Sequence, residues 1–140
     1  MTPSDSLPAR FVGYPEGCPP AIAEPAAGSV FRVTKHDPPH EADFASLFEM
    51  GRIVKAPLKA CQSRGLSLYR KIEDARHHIE LFAFHGTFIA VGILNAETGL
   101  MLATPPKDGS RPSHLTWWCF DGVERKSQFQ VIEEHGDDRD

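Results

Sequence analysis

The sequence predicts a single α+β domain built on a mostly antiparallel, twisted sheet with two or three short helices, entered through a proline-rich arm. Three observations lead there. Short runs rich in β-branched and aromatic residues recur, as in Ser29-Val-Phe-Arg-Val-Thr34 and Thr87-Phe-Ile-Ala-Val-Gly-Ile-Leu94. In Gly65-Leu-Ser-Leu-Tyr-Arg-Lys-Ile-Glu-Asp-Ala-Arg76 the apolar spacing changes from that of a strand to that of a helix. Pro3, Pro8, Pro15, Pro19, Pro20 and Pro25 interrupt residues 1–28 too often for a regular helix or a central strand. Residues 29–134 are therefore read as the domain and 135–140 as an acidic tail.

In the arm, Phe11, Val12 and Tyr14 are too apolar for a purely solvated linker and are expected to lie against the body. After the strand at 29–34, His36-Asp37-Pro38-Pro39 makes a turn. Phe44, Leu47 and Phe48 then follow helical spacing through 41–50, with Gly51 as the stop. Pro57 to Ser63 reads as a short helix. Gly65 to Tyr69 reads as a strand, with Leu66 and Leu68 on one face and Ser67 and Tyr69 on the other. From Ile72 a helix follows that turns Ile72, Ala75, Ile79 and Phe82 toward the sheet.

Thr87–Leu94 is the most continuously apolar run, and Asn95-Ala-Glu-Thr-Gly99 predicts a hairpin into Leu100–Ala103, a pair expected at the centre of the sheet. Asp121-Gly122 predicts a second hairpin, pairing Phe120 with Val123, Trp118 with Arg125 and Thr116 with Ser127. One tryptophan of Trp117-Trp118 is then expected in the core, the other under a long basic stem.

Composition narrows the function. A length of 140 residues with 41% apolar content suits one soluble domain, and a net charge of −4 gives no general attraction to nucleic acid or to an anionic membrane. The local basic residues Arg64, Arg70, Lys71 and Arg76 are the one feature that would suit an RNA-directed activity. Cys18, Cys61 and Cys119 are odd in number and widely spaced, which argues against a disulfide framework or a zinc site and for a reducing cytoplasm. There is no secretory leader pattern and no apolar run long enough to span a membrane. Glycine-rich phosphate loops and the serine-hydrolase elbow are absent, and the spacing of His36, His40, His77 and His78 does not suit a shared metal ion.

The order of a strand bearing Arg32, then Gly65-Leu-Ser-Leu-Tyr69, a Glu-Asp-Ala-Arg helix, an apolar strand and a last strand rich in Gln and Glu resembles the ADP-ribosyltransferase superfamily over roughly residues 29–134. The resemblance implies that fold, NAD as cofactor and transfer of ADP-ribose to a protein target. It implies Arg32 as the grip on the dinucleotide, Ser67 as a site hydroxyl and Tyr69 as an aromatic wall beside nicotinamide. The family's last-strand glutamate falls on Ser127-Gln-Phe-Gln-Val-Ile-Glu-Glu134, where Gln128 and Gln130 take the expected positions and Glu133 stands three residues late. A glutamine can bind a ribose hydroxyl but cannot supply the anion that stabilises a developing cation. His114, Trp117 and Trp118 form a further candidate ligand wall. The alternative reading is a non-catalytic binding or regulatory protein that holds a partner with its aromatic surface and the arm.

Overall fold

A computed structural model describes residues 8–52 and 57–136. Seven strands form one antiparallel sheet: β1 (Glu24–Pro25), β2 (Gly28–Thr34), β3 (Leu66–Tyr69), β4 (Phe88–Leu94), β5 (Gly99–Ala103), β6 (His114–Cys119) and β7 (Phe129–Glu134), in the order β1-β5-β6-β3-β2-β4-β7. Two α-helices are described, α1 (Pro57–Gln62) and α2 (Ile72–Leu81). The fold is α+β.

Strand β3 lies at the middle of the order, not the 87–103 pair. The expected hairpin at Asn95–Gly99 does not form a ladder. Leu94 pairs with Gly28, while Gly99 accepts a hydrogen bond from the Ala26 N–H and Leu100 pairs with Pro25. Thus β4 and β5 lie end to end along one continuous segment, residues 24–34, instead of side by side.

The second expected hairpin also fails beyond its turn. Val123 N–H donates to Phe120 O at 3.2 Å and Gly122 takes φ +87°, so the two-residue turn is present. Both edges of β6 are already occupied, by β3 and β5, and the departing chain is carried through a 3₁₀ turn (Lys126–Gln128) to the open edge of β4. A strong local turn signal is overridden because no ladder position beside β6 remains.

Each face of the sheet has its own core. On one face Val30, Leu66, Leu68, Ala90, Leu115 and Trp117 pack with Phe129 and with Phe44, whose ring centroid lies 5.0 Å from that of Phe129. On the other face α2 turns Ala75 and Ile79 onto Tyr69 and Ile89, with Ile72, Phe31 and Val33 at the margin. Phe82 falls just past the helix as its C-cap and is half-buried.

The helix expected over 41–50 is instead a 3₁₀ turn (Glu41–Phe44) followed by a second turn, because Ala45 is extended (φ −93°, ψ 135°). Local side-chain bonds win over the apolar period here. Asp43 accepts the N–H groups of Lys35 and His40, while Ser46 and Glu49 exchange backbone-to-side-chain bonds. Leu47 and Phe48 are left exposed at 44% and 47%.

The arm is docked through its described part. Phe11 packs 5.1 Å from Phe120, Tyr14 Oη donates to Arg64 O, and Val12 N–H donates to Asp121 Oδ2. Cys18 and Cys61 form a disulfide, contrary to the reading from cysteine number and spacing. The arm's path along α1 brings together two residues 43 apart in sequence, a proximity that spacing does not encode. Both tryptophans are fully buried, so neither lies under a basic stem; Trp118 Nε1 donates to Cys61 O at 2.9 Å, on the side of the sheet away from Trp117.

Candidate functional site

The pairing of β3 with both β2 and β6 decides which expected residues meet. Ser67 faces Thr116 and Tyr69 faces His114 across the β3–β6 ladder, so these four side chains share the helix-side face. The Tyr69 and His114 rings meet edge to face at 5.3 Å. Ser67 is exposed, whereas Tyr69 is buried.

Around the Tyr69 hydroxyl lies a cluster of side chains from three elements. Tyr69 Oη sits 2.9 Å from His78 Nδ1, Arg111 Nη1 lies 3.1 Å from each of those atoms, and His78 Nε2 is 2.9 Å from His85 Nδ1. The guanidinium can only donate, so His78 Nδ1 is an acceptor. His78 therefore carries its proton on Nε2 and gives it to His85 Nδ1, which places the His85 proton on Nε2. A chain of hydrogen bonds thus runs from a buried phenol through two imidazoles to the exposed His85.

The electrostatics agree with that assignment. Burial, helped by His85 and Arg111, pushes the His78 imidazole down to about 3, so the ring is neutral at pH 7. Burial raises Tyr69 above the ordinary phenol value against the opposing pull of Arg111, which keeps the hydroxyl protonated. His114 is also lowered, chiefly by burial; its Nδ1–H donates to Thr104 O at 2.8 Å. The arrangement can pass a proton between Tyr69 and solvent through His78 and His85.

Local sequence explains each placement. His78 follows Ala75 by three positions, which sets it at the rim of the buried face of α2. Arg111 has φ +48°, the single positive φ among the described non-glycine residues, in a loop tied to α2 by Ser113 N–H donating to Asp74 Oδ2. His85 lies in a 3₁₀ turn (Ala83–His85) pressed onto the end of β2 at Gly86, where a Cβ would collide with Thr34 O.

The remaining expected residues are placed differently. Arg32 follows Phe31, the partner of Tyr69, so its side chain leaves from the opposite face of the sheet. Its guanidinium is spent on backbone oxygens: Nε and Nη2 donate to Asp43 O at 3.0 and 2.9 Å, and Nη1 to Ser67 O at 2.9 Å. Burial pushes Arg32 down to about 10. This corrects the expectation of a free grip, since its donors clamp β2 to β3 and to the 41–44 turn.

Trp117, fully buried among the core residues, is not a ligand wall; alternation along β6 puts it on the face away from His114. Gln130 is exposed on β7 opposite Val91, and β2 and β4 lie between its strand and Tyr69. Glu133 is held by Arg76 of α2 through two bonds of 2.7 Å, which lower its carboxyl below the usual range. Neither reaches the Tyr69 cluster through any contact among the described residues.

His78, His85 and Arg111 were the residues that sequence reasoning missed. The adjacent pair His77-His78 suggests only metal binding in sequence, although the helical phase that buries Ala75 and Ile79 also brings His78 inward. Arg111 lies in a Pro- and Gly-rich loop without a period to read. The basic residues Arg64, Arg70 and Arg76 do not form one patch: they are bound to Gly13 O, to Ala27 and Ser29 O, and to Glu133. Among the described residues no group of three side chains is arranged to hold a metal ion.

A concavity of about 550 Å³ lies between the 41–49 segment and residues 122–126, and contains none of these side chains; Arg125 is fixed there by Glu49 and Phe44 O. No helix among the described residues is long and apolar enough to cross a membrane. No family model, curated protein or solved structure matches the chain.

Proposed function

We propose that the protein is an ADP-ribosyltransferase-like NAD-binding protein, with transfer of ADP-ribose to a protein target as its activity. One observation supports the reading above others: the strand carrying Arg32 and the strand carrying Ser67 and Tyr69 pair side by side at Phe31 and Tyr69, with α2 packed behind them. In this reading the exposed Ser67 and the half-buried His114 take the nicotinamide end of the ligand over the buried Tyr69, Arg111 stands beside them, and Arg32 fixes the seam that aligns the two strands. The test is calorimetry with NAD together with nicotinamide release by the purified full chain. Binding that is lost in Tyr69→Ala supports the reading, and absence of NAD binding removes it.

A second reading, a non-catalytic binder with the same site, is favoured by the carboxylates. Glu133 is paired to Arg76, and Gln130 is an amide. Such a protein binds NAD without releasing nicotinamide, and Glu133→Gln leaves binding unchanged. A cytoplasmic setting requires the Cys18–Cys61 bond to be open there. Thiol alkylation immediately after lysis, without reductant, decides the compartment question.

A further inference from the structure

We propose that residues 10–14 of the arm are a redox-latched strap: the Cys18–Cys61 bond holds them over Phe120 and Arg64, and a dithiol reductant that opens the bond frees the strap and uncovers that surface. The inference does not depend on the NAD reading, since none of these residues belongs to the Tyr69 cluster.

The strap is recognised through its main chain and its rings by a few groups of the body. Asp121 N–H donates to Arg10 O at 2.7 Å, and Asp121 Oδ2 accepts the Val12 N–H at 2.7 Å. Arg64 Nη1 donates to Gly13 O at 2.8 Å, and Arg64 O accepts from Tyr14 Oη at 3.2 Å. The Phe120 ring takes the Phe11 ring at 5.1 Å and the Arg10 guanidinium at 4.3 Å, while the Arg64 guanidinium lies 5.2 Å from the Tyr14 ring centre and 3.5 Å from that of Phe48. All of this is at the rim. Val12 is 67% exposed, and Phe11 and Tyr14 are only half-buried. Among the described residues neither core includes a side chain before Ala26, so the strap lies on a core that is complete without it. A peripheral segment of this kind opens at little cost, and the covalent tie is what keeps it in place.

The two cysteines differ in a way that suits a latch. Cys61 belongs to the body: it is 7% exposed, and its carbonyl accepts the Nε1–H of the fully buried Trp118. Cys18 belongs to the arm and is half-buried, so it is the sulfur that an incoming thiolate reaches. Attack forms an S–S bond between the reductant and Cys18, the Cys18–Cys61 bond breaks, and Cys61 leaves as a thiolate that takes up a proton. The second thiol of the reductant then attacks the mixed disulfide, which releases Cys18 as a thiol and leaves the reductant as a cyclic disulfide. Two electrons and two protons have passed to the protein. Cys119 does not compete for either sulfur, because burial leaves it 3% exposed and pushes its thiol up to about 11.

The experiment is hydrogen exchange of the full chain, read by mass spectrometry before and after dithiothreitol. On reduction, residues 10–14, including the Val12 amide, should exchange about tenfold faster or more, and should recover on reoxidation, while β3 and β4 keep their protection. The double variant Cys18→Ser, Cys61→Ser should show the reduced pattern without any reductant. A limiting amount of glutathione followed by alkylation should trap the mixed disulfide on Cys18; trapping on Cys61 refutes the order of attack. Unchanged exchange of residues 10–14 on reduction overturns the proposal, because packing alone then holds the strap. Loss of protection in β3 and β4 together with residues 10–14 overturns it equally, because the bond is then a staple of the whole fold.

Discussion

Replacing Ile79 by Ala tests how far the helix-side core supports the site. Ile79 is 1% exposed and packs with Tyr69, Ala75 and Ile89, with Ile72, Phe31 and Val33 at the margin. Three side-chain carbons are lost, worth about 0.8 kcal/mol each in transfer, or roughly 2.4 kcal/mol before any cavity is counted. The sheet beneath cannot collapse into the gap because its strands are held by ladders on both sides, so the total should reach about 3–4 kcal/mol. Urea unfolding with an unchanged slope measures it. Ile93→Ala, at a position 69% exposed, serves as the control and should change stability by less than about 0.5 kcal/mol. A loss of stability no larger than that of Ile93→Ala would refute the packing of α2 described here.

Acidification and the disulfide give two further expectations. His78 titrates near 3 in the folded state and near its ordinary 6.5 when unfolded, so between those values the unfolded chain binds more protons and stability falls as pH drops. His78→Gln should flatten the melting-temperature profile between pH 6.5 and 4.5, above the range where Asp43 and Glu49 lose their charge, but only in part, since His85 and His114 are lowered as well. An identical profile would show that His78 is not buried neutral. Cys18→Ser should lower stability by about 4 kcal/mol if loop closure over 43 residues is the main effect, measured by urea unfolding without reductant. A change below 1 kcal/mol would mean that the arm's packing alone holds it in place.

Local elements were legible where neighbours in sequence decide them. The strand at Gly28–Thr34, the strand-turn-helix unit from Leu66 to Leu81 and the docking of Phe11 and Tyr14 follow from periodicity and apolar content. Pairing was not legible. Asn95–Gly99 and Asp121-Gly122 are both good turn sequences, yet ladder partners depend on which edges other strands have taken. The site shows the same division. Ser67, Tyr69 and His114 were visible as residues of neighbouring strands with chemical capacity, while His78, His85 and Arg111 join them through tertiary contacts. Arg32 illustrates the converse, a residue chosen for its donors whose donors are taken by Asp43 and Ser67 carbonyls.

The end-to-end arrangement of β4 and β5 along residues 24–34 bears on how the chain tolerates being cut. Leu94 and Gly99 are both registered on that one segment, and the four residues between them only step from one ladder to the next. A break at the exposed residues 95–97 leaves β5, β6 and β7 on a separate piece, but each retains a ladder partner on the first: β1 for β5, β3 for β6 and β4 for β7. The molecule is thus divisible into two interleaved fragments, each strand of the second meeting a partner strand on the first, which makes residues 95–97 the natural place to split it for complementation.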